Sequence, residues 1–249
     1  MTERIKILSD SYTIHSYETD FRGRATLPAL CNFMQESAWH HAENLGIGYS
    51  HLIKRDLVWV LSRMRVRITR YPDWGEKIRV DTWPSGQDKL LYHRDFRLTD
   101  EGGAELGSAV STWIVIDLKR RRPQRLETHF DTDFLLTESQ FTEKSRPIAE
   151  VDGSRSTDSF RAAFSDLDLN SHVNNVRYLA WIVDSFALDF HENYILRGLE
   201  IRYQAEATHG DSLEVVTAED EQGTFRHSLL RRIDSKELCR ARTVWKRAD

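Results

Sequence analysis

The sequence predicts an α+β fold built twice: two copies in tandem, each an antiparallel sheet wrapped around one long helix. Three observations carry this. The chain repeats itself in order. Each copy reads as one strongly apolar-faced helix followed by several long strands. The 249 residues, 40% apolar and 30% charged, are ordinary for a soluble globular protein and allow one large domain or two small ones.

The repeat is weak but ordered. Aligning Asp20 with Asp168, an offset of 168 − 20 = 148, sets Ala25 against Val173, Phe33 against Trp181, Glu36 against Asp184 and Ser37 against Ser185. Further on, Trp74–Val80 resembles His209–Val215 at an offset of 210 − 75 = 135, after which Asp100 meets Asp234 and Trp113 meets Trp245. A steadily shrinking offset is what two copies with gaps produce, whereas chance matches scatter.

In the first copy, Tyr12, Ile14 and Ser16 alternate along a strand that leads to a turn at Phe21–Arg24. Thr26 suits the N-cap of the helix that follows, and Pro28 its first turn. Leu27, Leu30, Cys31, Met34, Ala38 and Leu45 recur at helical spacing, and Gly46 and Gly48 end the helix. Val58, Val60, Met64, Val66 and Ile68 then lie mostly in alternation with Arg63, Arg65 and Arg67, as on a half-buried strand. Strands over 76–83, 89–99 and 105–117 complete a domain spanning 1–117. The segment 118–156 is polar, carries Pro123 and Pro147, and reads as a linker with a short helix near 129–136.

The second domain, 157–249, opens with a strand at Asp158–Phe164 and has its helix near 173–190, with Val176, Ala180, Val183 and Ala187 on one face. Strands near 195–208, 212–218, 224–233 and 237–247 finish it. Helices this apolar must be covered by a sheet, and joining two copies edge to edge hides an exposed edge strand.

Composition excludes several classes of function. The net charge, 35 − 39 = −4, argues against a nucleic-acid binder, which carries a basic excess. No apolar run reaches the ~18 residues of a membrane span, and the first residues lack the apolar stretch of a signal peptide. Two cysteines, Cys31 and Cys239, are too few for a disulfide framework and suggest a reducing cytosol, although one bridge between them is compatible with the sequence. There is no nucleophile elbow, P-loop or dinucleotide fingerprint, and the histidines show no zinc spacing. No cofactor and no metal are therefore expected.

The stretch that carries chemistry is 166–181, where Asp168, Asn170, His172, Asn174 and Asn175 crowd before an apolar helix. One reading is turn and capping chemistry, since Asp and Asn satisfy free backbone N–H groups. The other is an active site, because helix-entrance N–H groups also bind oxyanions. The internal comparison favours the second. Asp168 keeps its counterpart in Asp20, but Asn170 corresponds to Arg22 and His172 to Arg24. Capping would be needed in both copies, so a polar set present in one suggests that this copy holds the chemistry.

Asp168, Asn170, His172, Val173, Asn174, Asn175, Tyr178 and Trp181 form a pattern, D-x-N-x-H-V-N-N-x-x-Y-x-x-W, that resembles the signature of the acyl-[acyl-carrier-protein] thioesterases of plants and bacteria. The first half adds Tyr17-Glu18-x-Asp20, Asn32-x-Met34-Gln35-Glu36, Trp59-Val60-Leu61-x-Arg63, Arg70-Tyr71-Pro72-x-Trp74-Gly75 and Thr82-Trp83-Pro84. The resemblance covers roughly residues 12–247.

It implies a fold of two tandem hotdog domains and the hydrolysis of fatty-acyl thioesters on acyl carrier protein, ending fatty-acid synthesis; the cytoplasmic location is expected from the cysteine usage. It assigns catalytic roles to Asp168, Asn170 and His172. The family glutamate maps best to Glu206, with Glu200 in the same alternation phase as its competitor. Plant members often carry a cysteine directly after this glutamate; here the position is Ala207. Neither Cys31 nor Cys239 lies beside the signature, so a thiolate mechanism is not expected.

A carboxylate or carboxylate-activated water remains as the nucleophile. Glu206 or Asp168 would activate water, with Asn170 and His172 fixing water and carbonyl, and a backbone N–H at Val173 or Asn174 holding the oxyanion. Direct attack by Asp168 through an anhydride is the alternative. By the same resemblance the first copy receives the acyl chain beside its helix, making Leu30, Met34, Val60 and Met64 candidates for chain binding, although such residues are more often plain core. Lys119, Arg120, Arg121, Arg122 and Arg125, or the strand arginines Arg63, Arg65 and Arg67, would steer an acidic carrier protein. The family also suggests dimers, and neither nucleic acid nor membrane is expected as a partner. An acyl-CoA thioesterase and a non-catalytic acyl-binding protein are the competing functions.

Overall fold

The computed structural model describes residues 5–133, 135, 139, 141, 147–151 and 156–248. The chain forms two compact units, Met1–Lys144 and Ser145–Asp249.

In the first unit, β1 (Leu8–Thr13) leads through a short 3₁₀ turn to α1 (Leu27–Asn44) and α2 (Tyr49–Leu52). Four long strands follow: β2 (Leu57–Ile68), β3 (Lys77–Asp88), β4 (Leu91–Asp100) and β5 (Glu105–Asp117), then the short β6 (Arg122–Gln124). The pairing is antiparallel throughout, in the order β1-β3-β4-β5-β2, with β6 also on β5. Thr26 caps α1, its Oγ1 accepting the Ala29 N–H at 3.3 Å, and Gly46, at φ +75°, turns the chain out of the helix where a side chain would be strained. Leu27, Leu30, Cys31, Met34 and Ala38 are buried, as their spacing predicts. Leu45, Ile47, Leu52, Leu57, Tyr92, Val115 and Leu126 close one end of the core.

In the second unit, β7 (Ser156–Arg161) precedes α3 (Asn175–Asp184) and α4 (Leu188–Asn193). Then come β8 (Tyr194–Tyr203), β9 (Ser212–Glu221), β10 (Thr224–Arg231) and β11 (Lys236–Arg247), in the antiparallel order β7-β9-β10-β11-β8. Substituting each strand by its counterpart reproduces the order of the first unit. The repeat is thus a repeat of topology.

The structure differs from the sequence reading at several points. In β2 the register against β5 shifts between Leu61 and Arg63, so alternation changes phase. Met64, Val66 and Ile68 are buried, whereas Val58 and Val60 are half-buried. The helix expected over 173–190 stops at Asp184 and resumes as α4. Between the two, Phe186 stacks on Phe190 at 4.5 Å and lies 5.0 Å from Phe225 and Trp245. This aromatic contact favours a break over a straight continuation. The strand expected to run to residue 208 leaves the ladder after Tyr203, where the N–H groups of Gln204 and Ala205 both reach Leu238 O.

The expected linker is in part folded. Leu126 is fully buried, its N–H bonded to Tyr92 Oη at 2.7 Å, and β6 lies on β5, so this portion belongs to the first unit. Among the described residues, the helical turn found nearby is 3₁₀, Leu126–Thr128. Residues 129–133 and 135 are not helical, and 134 and 136 lie outside the described residues.

Candidate active site

The loop between β7 and α3 is a backbone cage. Asp168 N–H donates to His172 O at 2.8 Å, and Ser171 N–H to Asp168 O at 3.0 Å. Ser171 itself takes φ +61°, the left-handed conformation a turn this tight requires. Asp168 Oδ1 sits inside the turn and accepts the N–H groups of Asn170 at 2.8 Å and His172 at 3.3 Å. Val173 N–H then donates to Ala207 O at 2.9 Å, which ties the loop to the segment after β8.

The same cage stands in the first unit. Asp20 N–H donates to Arg24 O at 2.7 Å, Gly23 N–H to Asp20 O at 2.9 Å, and Ala25 N–H to Pro72 O at 2.8 Å. Asp20 Oδ1 accepts from Arg22 N–H at 2.8 Å and Arg24 N–H at 3.1 Å. Capping chemistry therefore explains the aspartate in both copies. It does not explain Asn170 and His172, which project from positions held by Arg22 and Arg24 in the other copy. The equivalence of Ala207 with Pro72 likewise pairs Glu206 with Tyr71.

The structure brings His172 and Glu206 together: Nε2 lies 3.4 Å from Oε2, with both side chains partly open to solvent. Glu200 has a different partner. It sits in β8, 6% exposed, and receives a hydrogen bond from Arg242 at 2.9 Å. Of the two glutamates, Glu206 is the one in contact with His172. Its place in a loop explains why strand alternation left the two glutamates undecided.

The expected oxyanion donors need correction. The Val173 N–H is spent on Ala207 O and the Asn174 N–H on Asp166 O, at 2.9 and 2.8 Å. A backbone N–H already committed to a carbonyl cannot also hold a developing oxyanion without losing that bond. The Asn174 side chain serves as the N-cap of α3, with Oδ1 accepting the Val176 N–H at 2.8 Å. Asn170 is exposed at the loop tip.

Three residues that the sequence reading did not assign support the site. Asp166, 4% exposed, accepts the Ala163 N–H at 2.8 Å and meets Arg177 Nε at 2.7 Å. The buried Tyr178 hydroxyl accepts the Ala207 N–H at 2.7 Å, and burial pushes its phenol well up, so it stays protonated. Tyr178 belonged to the recognised pattern; Asp166 and Arg177 carried no signal beyond their nearness to it.

Of the chain-binding candidates, Leu30 and Met34 are fully buried on α1, Met64 is buried on β2 and Val60 is half-buried. Arg120 lies 3.8 Å from Asp117, Arg121 takes φ +55° in the β5–β6 turn, and Arg122 begins β6. The cysteines are both free and buried: burial pushes the Cys31 thiol up to about 12 and the Cys239 thiol higher still. Among the described residues no group of three metal-ligating side chains occurs, and no helix is long and apolar enough to cross a membrane.

Comparison with known proteins shows the family. The family model of the acyl-ACP thioesterase N-terminal domain matches residues 6–133, and that of the C-terminal domain matches residues 149–247. Chloroplastic palmitoyl-acyl carrier protein thioesterases from Gossypium hirsutum and Cuphea hookeriana are 30% identical over 263 residues and 31% over 260. Each match covers 96% of this chain but only 64% and 62% of the relative, so the chain spans less than two thirds of their length. The crystal structure of an acyl-ACP thioesterase from Bacteroides thetaiotaomicron superposes with a TM-score of 0.90 at 29% identity, covering 97% of this chain and 98% of that one. A 12:0-ACP thioesterase from Umbellularia californica shares the fold, with a TM-score of 0.85 at 24% identity and full coverage of both chains. The two units are tandem hotdog domains, and the chain belongs to the acyl-ACP thioesterase family.

Proposed function

We propose that the protein hydrolyses a fatty-acyl thioester on acyl carrier protein, releasing free fatty acid and the carrier thiol and so terminating fatty-acid synthesis. The observation that carries this reading is the His172–Glu206 contact of 3.4 Å beside the Asp168–Asn170 turn. The other copy has arginines and a tyrosine at the corresponding positions.

Glu206 is the carboxylate placed to take a proton from water, because Asp168 Oδ1 is occupied by two backbone N–H groups. Water attacks the thioester carbon, its proton passes to Glu206, and the Asn170 amide donates to the oxyanion. The C–S bond then breaks, and the thiolate is protonated through the His172–Glu206 pair. The other carboxylate, Asp168, would be the nucleophile in an anhydride route. Leu30, Met34, Val60 and Met64 are the candidates for acyl-chain contact. Arg120, Arg121 and Arg122 are the candidates for the carrier's acidic surface. The names of the relatives favour acyl carrier protein over coenzyme A as the donor.

The test is a hydrolysis panel of carrier-bound and coenzyme A-bound acyl chains across lengths, run with the wild type, Asp168→Asn and His172→Ala. Turnover of carrier substrates is expected to fall by about a hundredfold or more in His172→Ala, because the pair that carries the proton is broken, and to fall in Asp168→Asn, because the turn that presents Asn170 and His172 loses its charged acceptor, with the fold intact in both. Near-wild-type turnover in both would sink the assignment, and preference for coenzyme A substrates would replace the carrier reading.

A further inference from the structure

We propose that Arg177 and Tyr178, consecutive residues of α3, are positioning residues that together set the separation of His172 from Glu206. The inference rests on the catalytic reading of that pair and adds how the pair is held.

His172 and Glu206 come from different segments, 34 residues apart by 206 − 172, and neither lies in a helix or strand. One side chain of α3 reaches each segment, and the hydroxyl of Tyr203, at the end of β8, adds a bond to Asn175 O at 3.0 Å. Arg177 reaches the base of the His172 loop through Asp166, at 2.7 Å between Nε and Oδ1. Asp166 in turn joins both ends of that loop, its Oδ2 accepting from Ala163 N–H and its carbonyl from Asn174 N–H, each at 2.8 Å. Tyr178 reaches the other segment directly, its hydroxyl accepting the N–H of Ala207, next to Glu206, at 2.7 Å. Backbone hydrogen bonds also join the segments, Val173 N–H to Ala207 O at 2.9 Å and, farther from the pair, Ala162 N–H to Asp211 O at 3.0 Å and Gly210 N–H to Ala162 O at 2.9 Å; the two α3 side chains add fixed points close to His172 and Glu206.

The first unit supplies the internal control. Its helix begins at Leu27 where α3 begins at Asn175, an offset of 175 − 27 = 148. Arg177 and Tyr178 therefore correspond to Ala29 and Leu30, neither of which can make such a tether. The backbone cage is present in both copies; the bracket is present only where His172 and Glu206 need it. A device serving the fold alone would be expected in both. Arg177 is further steadied by the face of Trp181, 6.0 Å from its guanidinium carbon, one helical turn on.

The experiment compares wild type, Arg177→Met, Arg177→Lys and Tyr178→Phe, each also in a Glu206→Gln background. Two readouts are used: steady-state hydrolysis of a palmitoyl-carrier substrate, and backbone hydrogen–deuterium exchange. Misplacing a reacting group by about 1 Å costs on the order of tenfold to a hundredfold in rate. A kcat loss of that size is expected for Arg177→Met and Tyr178→Phe with KM little changed, together with partial rescue in Arg177→Lys. In the Glu206→Gln background neither substitution should lower the residual rate further, because the contact being positioned is already gone. Exchange should quicken over 167–174 in Arg177→Met and at Ala207 in Tyr178→Phe, with 19–26 unchanged in both.

Wild-type kcat in both variants, losses that multiply with Glu206→Gln, or unchanged local exchange would overturn the proposal. If the wild type failed to hydrolyse any carrier substrate, the catalytic reading would fall. The exchange data would still decide whether the bracket holds the two segments.

Discussion

Glu200 and Glu206 illustrate how residues of one type separate by environment. Glu200 is 6% exposed and held by Arg242, whereas Glu206 stands in a loop beside His172. Glu200→Gln should lower stability by about 1–2 kcal/mol, less than the full cost of breaking a buried pair because Arg242 is partly in water. It should leave kcat unaltered. Glu206→Gln should do the reverse, with kcat falling and the melting temperature steady. Paired melting curves and rate measurements check both. The same contrast holds for aspartate. Asp168 was legible as a turn former and as a catalytic candidate, and the twin turn at Asp20 shows that the first role is real in both copies. The cysteines prove to be free, buried thiols.

Among elements, the two N-caps make the clearest comparison. Thr26 and Asn174 occupy the same position in the two copies, and each side-chain oxygen accepts a helix N–H. Replacing either by Ala should cost about 1 kcal/mol. Thr26→Ala should show this in denaturant midpoint alone, while Asn174→Ala, adjoining the loop proposed to be catalytic, should also reduce kcat. Helix positions and cap residues were readable because periodicity and capping are local. Element ends were less so. The early stop of α3 depends on Phe186 meeting Phe190, Phe225 and Trp245, and Phe225 and Trp245 come from distant strands. The phase change in β2 depends on its register with β5. Neither can be read from a window of neighbouring residues.

At the scale of the whole molecule, each unit buries a neutral histidine. His41 is lowered to about 4, first by desolvation and then by Arg94, whose Nη1 lies 3.0 Å from its Nδ1; Ile5 O and Asp10 act in the opposite sense. His227 is lowered to about 3 by burial, between the hydroxyls of Thr217 and Thr243 at 2.9 and 2.8 Å. The unfolded chain protonates both near pH 6.5. Below that pH the unfolded state binds more protons, so stability is complete above about 6.5 and falls as the pH drops toward 4. Urea midpoints should decline from pH 7 to pH 5, and His227→Gln should flatten that slope; a pH-independent midpoint would contradict it. Carboxylates held low by arginines, such as Glu76 and Glu237, add their loss only below about pH 4.5. The sequence by itself determined the duplication, the α+β class and the polar stretch before the second helix, because composition, periodicity and spacing are properties of the chain in order. Only the tertiary structure decided that Glu206 rather than Glu200 meets His172, that the Val173 and Asn174 N–H groups are already spent, and that α3 brackets the pair. Those outcomes depend on which distant backbone groups come within hydrogen-bonding distance, and that is settled only when the sheet, the helix and the two loops are folded together.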